Sequence, residues 1–374
     1  MKLNADREVL LRPLQAVIGV VERRQTMPIL TNVLLVAKGG QVSITATDLE
    51  VELIAEAEAD VESPGEITVP GRKLLDICRA LPEDAQVSLS QSGEKVIVKS
   101  GRSKFTLATL SATEFPVVGD INAGQSIDVS QEILGRLLEK THFSMSQNDV
   151  RYYLNGLLLE TSGNTLRAVA TDGHRLALCE AGLEGSGLPE QQVIVPRKGV
   201  LELQRLMSGE GALVIELGTN HVRIQLDGIR FTSKLIDGRF PEYGRVIPQD
   251  TSNSMLADRE TLRNAMQRTA ILSNEKYRGI RLIMRNNGNE ELSNLGTMVL
   301  QTHNPEQEEA EEELEIEYAG EEIEIGFNVN YLLDAFSAIE SETVSLAVVD
   351  GNSSCLIREP GKEDYKYVVM PMRL

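Results

Sequence analysis

The sequence predicts an α+β fold repeated three times along the chain, and three observations predict it. At 374 residues the chain is too long for one ordinary core and suits two or three domains. Segments that pass from a short β-rich stretch through a turn into an apolar pattern at helical spacing recur in a fixed order. Between them lie alternating apolar runs around Gly-Gly and Ser-Gly-Asn turns, the pattern of antiparallel hairpins.

The repeat is read from three sets of segments. "ITVPGRKLLDICRAL" begins at 67, "VIVPRKGVLELQRLM" at 193 and "IGFNVNYLLDAFSAI" at 325, spaced by 126 and then 132 residues. "KFTLATLSATEFPVV" at 104 and "RFTSKLIDGRFPEYGRVI" at 230 are again 126 apart, and "KYVVMPMRL" at 366 holds the third position. The last set comprises "LTNVLLVAKGGQVSITATDLEVEL", "LNGLLLETSGNTLRAVATDGHRLAL" and "IRLIMRNNGNEELSNLGTMVLQTHNPE". In its first two members Thr47-Asp48 and Thr171-Asp172 fall in register, 124 residues apart. One such set can recur by chance; three in the same order at consistent spacing mark an internal repeat. The helical spacing predicts first helices at 6–22, 131–142 and 258–270, and second helices at 72–81, 197–207 and 329–339. Boundaries placed in the loops "GDINAGQ" and "PQDTSNS" give domains 1–124, 125–252 and 253–374.

Hydrophobic residues at 41% and charged residues at 25% are ordinary globular values. The amino terminus has no apolar h-region, and no run approaches the ~18 apolar residues of a membrane span. Cys78, Cys179 and Cys355 are far apart and odd in number, which reads as reduced thiols in a cytoplasmic protein.

A net charge of -19 argues against a polyanionic partner only if it is evenly spread. The helices are the exception. Segment 72–81 carries Arg72, Lys73 and Arg79 against Asp76; segment 197–207 carries Arg197, Lys198 and Arg205 against Glu202; segment 259–268 carries Arg259, Arg263 and Arg268 against Glu260. Charged helices are ordinarily solvated faces. Their repetition favours helices turned to a common polyanion, bound through phosphates without sequence preference. Trp is absent and aromatics are 4%, a poor stacking platform for single strands, so the expected partner is a duplex.

The stretch "VATDGHRLAL" at 169 gathers Asp172, His174 and Arg175 as an active site would, yet no catalytic motif surrounds it. His142, His174, His221 and His303 form no metal-binding spacing. Gly361-Lys362 is followed by Glu363 and lacks the upstream glycine of a phosphate loop, and no nucleophile elbow is present. No catalytic residue, metal or cofactor is expected. Read alone, Asp172-Gly173 is a hairpin turn and "MPMRL" the end of a last strand.

Several stretches then carry a resemblance: "DVRYYLNG", "VATDGHRLA", "VIVPRKGV", "FTSKL.DGRFP.Y", "AILSNEK", "NPEQEEAEE" and the terminal "YVVMPMRL". Spread over all three repeats, they resemble the bacterial β sliding clamps, the processivity subunits of DNA polymerase III. The resemblance implies the DNA-clamp fold, with two helices packed on antiparallel sheets in each domain. It further implies a head-to-tail homodimer closing a six-domain ring, its helices lining the hole around double-stranded DNA. The implied partners are the DNA polymerase III alpha subunit, a separate clamp loader ATPase, and other DNA polymerases and repair proteins that dock through short linear motifs. No membrane is involved, and the implied location is the bacterial cytoplasm at replication forks.

Residue by residue, the resemblance implies a partner-peptide cleft of Leu154, Thr171, Gly173, His174, Arg175, Leu176, Pro241, Arg245, Val246 and Ser354. The tail adds Val368, Met370, Pro371, Met372, Arg373 and Leu374. Methionines adapt to different peptides, while Arg175 and Arg245 are expected to donate to peptide carbonyls or acids. DNA contacts are implied for Arg24, Arg72, Asn148, Tyr152, Tyr153, Arg197 and Lys198. The loop "VERRQTMP" has Glu22 and Arg23 where the family has a glycine-rich turn, which makes Arg23 a second candidate. The tyrosines read equally well as partial core residues on a strand.

A dimer seam is implied between Arg102, Lys104, Phe105 and Leu107 on one side, and Ile271, Leu272, Glu306, Glu308 and Glu309 on the other. The acidic run "EQEEAEEELEIEY" reads alone as a disordered tail. The alternation of Leu314, Ile316 and Tyr318 makes it instead a half-buried strand at that seam. A longer loop near 286–296 receives no function.

Overall fold

The computed structural model describes residues 1–21, 27–185, 187–249, 253–287 and 295–373. Among the described residues, six α-helices form where the spacing predicts them: α1 (Arg7–Val17), α2 (Gly71–Ala80), α3 (Gln131–Glu139), α4 (Arg197–Leu206), α5 (Arg259–Thr269) and α6 (Val329–Ala338). Two stop early. α1 passes at Val17 into a 3-10 turn at Ile18–Val20, and α3 ends at Glu139 before a 3-10 turn at His142–Ser144. At the end of α1 the Glu202 carboxylate lies so close to Gly19 that a Cβ there has no room. Arg205 of α4 donates to the carbonyl oxygens of Gln15 and Ala16, satisfying acceptors that the last turn of α1 leaves open.

The chain folds as two compact units, Met1–Gly135 with Lys198–Asp237, and Arg136–Arg197 with Gly238–Leu374. These units divide the second repeat, and the sheets show why. In the first unit, Val51–Glu58 of the first repeat pairs antiparallel with Ile229–Lys234 of the second, with Val51 opposite Ser233. That junction joins the strands of the two repeats into one eight-stranded sheet. In the second unit, Arg175–Gly182 of the second repeat pairs with Tyr365–Val369 of the third, with Arg175 opposite Val369, inside a twelve-stranded sheet. The boundary expected at 124 falls within the strand Ala123–Ser130, and that at 252 lies outside the described residues.

The two junctions share one register. Val51 and Arg175 each stand four residues after the threonine of a Thr-Asp pair, and Ser233 and Val369 each stand three residues into the segments starting at 230 and 366. Apolar alternation fixes such a register, because a slip of one residue would turn the buried face outward. α1 lies on the strands 41–47 and 51–58 and buries Leu10, Leu14 and Val17 completely.

The first unit also holds a five-stranded sheet that ends in the edge strand Ser103–Ala108. In the second unit the acidic run is a strand, Glu309–Glu317, with Ile316 and the following Tyr318 buried. It is therefore not a disordered tail. Its ladder runs along 295–303, whereas on its other side, among the described residues, it pairs only at Leu256, opposite Glu317. Strand Gly279–Asn286 extends into the loop expected near 286–296, and 288–294 lie outside the described residues.

The turn after each Thr-Asp pair is built alike. Thr47 Oγ1 donates to the Val51 carbonyl and accepts from the Leu49 amide, while Asp48 Oδ1 accepts from the amides of Glu50 and Val51. This bonding holds Leu49 at φ 77°, a left-handed conformation that costs an L-residue roughly 1–2 kcal/mol. Leu49→Gly should remove that strain at an entropic cost of roughly 0.5–1 kcal/mol. A net stabilisation of up to about 1 kcal/mol is expected by urea unfolding; a lower denaturation midpoint at unchanged slope would contradict the strain.

Candidate functional site

The cluster Asp172, His174 and Arg175 is a turn. Thr171 Oγ1 donates to the Arg175 carbonyl at 2.6 Å and accepts from the Gly173 amide at 3.0 Å. Asp172 Oδ1 accepts from the amides of His174 and Arg175. Gly173 takes the left-handed position at φ 89°, where a Cβ would lie 3.0 Å from the Arg151 guanidinium. The His174 carbonyl accepts from the Met370 amide at 2.9 Å, carrying the strand pairing one step beyond Val369.

Arg175 departs from its expected role. Its Nε pairs with Asp172 at 3.2 Å, its Nη1 with Asp334 of α6, and its Nη2 donates to the Phe143 carbonyl at 2.7 Å. The guanidinium also lies over the rings of Tyr331 and Phe143. With each nitrogen bonded once and only 12% of the side chain exposed, it fixes the turn.

Beside this turn is a cleft of about 170 Å³. Leu154, Leu176 and Val368 are buried in its floor, Thr171 and Gly173 rim it, and Pro241, Val246 and Met370 stand partly exposed along it. A 3-10 turn at Tyr152–Leu154 supplies Leu154, the last strand, Tyr365–Val369, supplies Val368, and Met370 follows directly after it. Arg151, Tyr153, Glu242 and Tyr243 also line the cleft, although the sequence did not assign them there.

The Tyr243 wall is anchored from behind. Its hydroxyl donates to Glu160 and accepts from Arg167 Nη1 at 2.9 Å; Arg167 also pairs with Glu160 at 3.0 Å and Glu180 at 2.7 Å. Burial and the bond to Glu160 push the Tyr243 hydroxyl up to about 12. The Glu160 carboxyl lies below its ordinary value: burial opposes this, but bonds from Tyr243, Gln192 and Arg167 prevail.

The remaining candidates divide. Arg245 is 82% exposed and pairs with Glu242 at 2.6 Å, and Ser354 Oγ reaches the Val246 carbonyl at 3.5 Å. Met372 and Arg373 do not line the cleft; they border a separate cavity of about 610 Å³ with Tyr277, Arg281 and His303. The cause is a turn of the backbone after Met370, where the Met372 amide donates to the Gly326 carbonyl at 2.7 Å. Pro371 lies between the two, the His174 side chain is exposed beside the cleft, and Leu374 lies outside the described residues.

Of the DNA candidates, Arg23 and Arg24 lie outside the described residues. Arg72 is half-buried and donates through Nη2 to the Val21 carbonyl at 2.7 Å. Asn148 and Tyr152 are exposed, on a loop and a 3-10 turn rather than a strand, while Tyr153 turns into the cleft. Arg197 Nη1 reaches the Met145 carbonyl at 3.4 Å, and Lys198 is paired with the buried Asp48.

The helices are less freely basic than their composition suggests. Arg205 pairs with Glu202, Arg259 and Arg263 with Glu260, and Arg268 with Glu312. On the seam residues, Arg102 and Lys104 are exposed and Phe105 and Leu107 half-buried. Ile271 is 75% exposed beside half-buried Leu272, and Glu306, Glu308 and Glu309 are exposed.

Family models of the DNA polymerase III beta subunit match the whole architecture: the N-terminal domain over residues 1–119, the central domain over 128–242 and the C-terminal domain over 244–373. The chain belongs to the β sliding clamp family. It is 53% identical to the beta sliding clamp of Pseudomonas putida and 47% to that of Escherichia coli, covering 100% of both chains in each case. Among solved structures, the DNA polymerase III subunit beta of Pseudomonas aeruginosa superposes with a TM-score of 0.96 at 51% identity, covering 100% of both chains. The Caulobacter crescentus clamp does so at 0.93 and 41%, again covering 100% of both. The clamp is thus a three-domain processivity subunit for DNA replication and not an enzyme.

Tyr243→Phe should cost about 1–2 kcal/mol of stability at neutral pH by leaving Glu160 and Arg167 short of a partner. A raised folded-state value means that the tyrosine's contribution is complete below pH 10 and is lost as pH rises toward about 12. The stability gap between parent and variant should therefore narrow between about pH 10 and about pH 12 in urea unfolding. A gap that stays constant would contradict the raised tyrosine.

Proposed function

We propose that two copies of this clamp close head to tail into a six-domain ring around duplex DNA, and that the ring tethers the DNA polymerase III alpha subunit for processive synthesis. The supporting observation is the register shared by the two junctions. The same ladder positions recur in the third repeat, where Ile280 faces Phe327 as Val33 faces Val69 and Leu157 faces Val195. Followed two strands further across each sheet, Glu309 occupies the position of Glu52 and Leu176. The segments starting at 104, 230 and 366 likewise place Thr106 where Thr232 and Val368 stand. The third repeat thus has a strand for a further junction, and the first repeat has the complementary strand.

Their charges match when a second copy supplies the partner strand. Extended to a second copy, the shared register would bring Glu309 opposite Thr106 of the partner subunit, Glu311 opposite Lys104 of the partner subunit and Glu313 opposite Arg102 of the partner subunit. Opposed charges at facing positions contribute roughly 0.2–1 kcal/mol each and steer the encounter of the copies. Ile271, Leu272, Phe105 and Leu107 add apolar area beside the two open edges, which would otherwise invite unspecific pairing.

Strand pairing closes the ring, so the DNA need only be enclosed. Exposed Asn148 and Tyr152, the half-buried Arg72 and Arg197, and Arg24 supply weak, sequence-independent contacts that permit sliding. Lys198, tied to Asp48, contributes less. A clamp loader opens the ring, and the cleft at the second junction takes short linear motifs from the polymerase, the loader and repair proteins. Its apolar floor and the unbranched, flexible methionine side chain of Met370 suit variable apolar side chains. The clamp acts in the bacterial cytoplasm at replication forks.

Ile271→Ala with Leu272→Ala should yield monomers at low micromolar concentration, read by sedimentation velocity; a dimeric mass would overturn the seam. Deleting Met370 to Leu374 should weaken binding of a polymerase-tail peptide at least about tenfold and leave the dimeric mass intact. Unchanged peptide affinity would place the docking site elsewhere.

A further inference from the structure

The two strand junctions have the same register but treat the linker that crosses them differently. After the first repeat the linker begins Phe115-Pro116-Val117-Val118-Gly119, and after the second Phe240-Pro241-Glu242-Tyr243-Gly244. At the second junction the linker forms a wall of the open cleft, over buried Leu176. At the first junction the same position is Glu52, which is fully buried. Glu52 Oε2 accepts from the Val118 amide at 2.6 Å, and Arg223 donates to the Gly119 carbonyl at 2.9 Å, so the linker backbone is bonded down at two successive residues.

Several neighbouring positions are comparable, although Thr232 stands where Val368 stands and Lys234 where Met370 stands. Leu30 replaces Leu154 and is equally buried, Thr47 replaces Thr171 in the same turn, and the Lys234 amide donates to the Glu50 carbonyl as Met370 does to His174. Arg223, opposite Thr232, corresponds to Leu356, opposite Val368. Two polar groups at one junction thus stand where two leucines stand at the other. A buried carboxylate and a guanidinium are costly in a sheet junction unless they are well bonded, and here part of what bonds them is the linker itself.

We propose that Glu52 and Arg223 latch the first linker over a second, latent copy of the peptide cleft, and so restrict each protomer to one docking site. The latent site would take the same class of ligand, a short peptide with apolar side chains, over Leu30 and the strand junction. This inference rests on the reading of the second junction as the peptide cleft.

The test uses the full-length clamp carrying Glu52→Leu and Arg223→Leu together, which removes both polar groups and leaves neither unpaired. With the latch intact, titration calorimetry with a polymerase-tail peptide should give one peptide per protomer. In the double variant, exchange of the Val118 amide should accelerate about tenfold or more, and a second peptide should bind per protomer. That second site should survive deletion of Met370 to Leu374.

Unchanged Val118 exchange, or one peptide per protomer despite a freed linker, would overturn the proposal. Absence of peptide binding in the parent would instead remove the reading of the second junction. If the double variant does not fold, Val118→Pro, which deletes the amide donor alone, is read by the same stoichiometry with the same two outcomes.

Discussion

The edge of a β-sheet presents backbone amides and carbonyls that must find partners, and this constraint organises the clamp. Each repeat brings strands that its own sheet does not fully pair. The first repeat joins the second through Val51–Glu58 and Ile229–Lys234, and the second joins the third through Arg175–Gly182 and Tyr365–Val369. Because the joins run through main-chain ladders, the compact units cut across the second repeat instead of following the repeat boundaries. Among the strands left with an open side are the basic edge Ser103–Ala108 and the acidic strand Glu309–Glu317.

A single junction geometry carries different side chains at equivalent positions, and the differences decide what each junction does. Glu52 and Arg223 bind the linker at the first; Leu176 and Leu356 leave an apolar floor at the second. The Thr-Asp turn behaves in the same way. Its hydrogen bonds recur residue for residue, but Leu49 bears the left-handed strain in the first repeat while Gly173 relieves it in the second and makes room for Arg151. Function here is placed by substitution within a repeated frame.

Much of that frame was legible in the sequence. Helical spacing located the six helices of the described residues, and the alternation of Leu314, Ile316 and Tyr318 identified a strand inside an acidic run. The apolar floor of the cleft followed from the resemblance. What could not be read was how charged side chains pair across long separations. Arg175 is held by Asp334, Lys198 by Asp48 and Arg268 by Glu312, so charge counts along each helix overstated the free positive charge. Tyr243 escaped notice because its partners, Glu160 and Arg167, lie on strands some eighty residues earlier. The tail was read as one unit, yet a single backbone hydrogen bond to Gly326 separates Met372 from the cleft that Met370 enters.

Topological retention tests the proposed ring most directly. The clamp would be loaded by a bacterial clamp loader with ATP onto nicked circular plasmid, the complex isolated, and the DNA then cut once. Release upon linearisation, with retention on the uncut circle, is the expected result, since a ring that encloses DNA without gripping it slides off a free end. Equal retention on the linear and circular forms would show local binding by the basic residues and contradict a closed sliding ring.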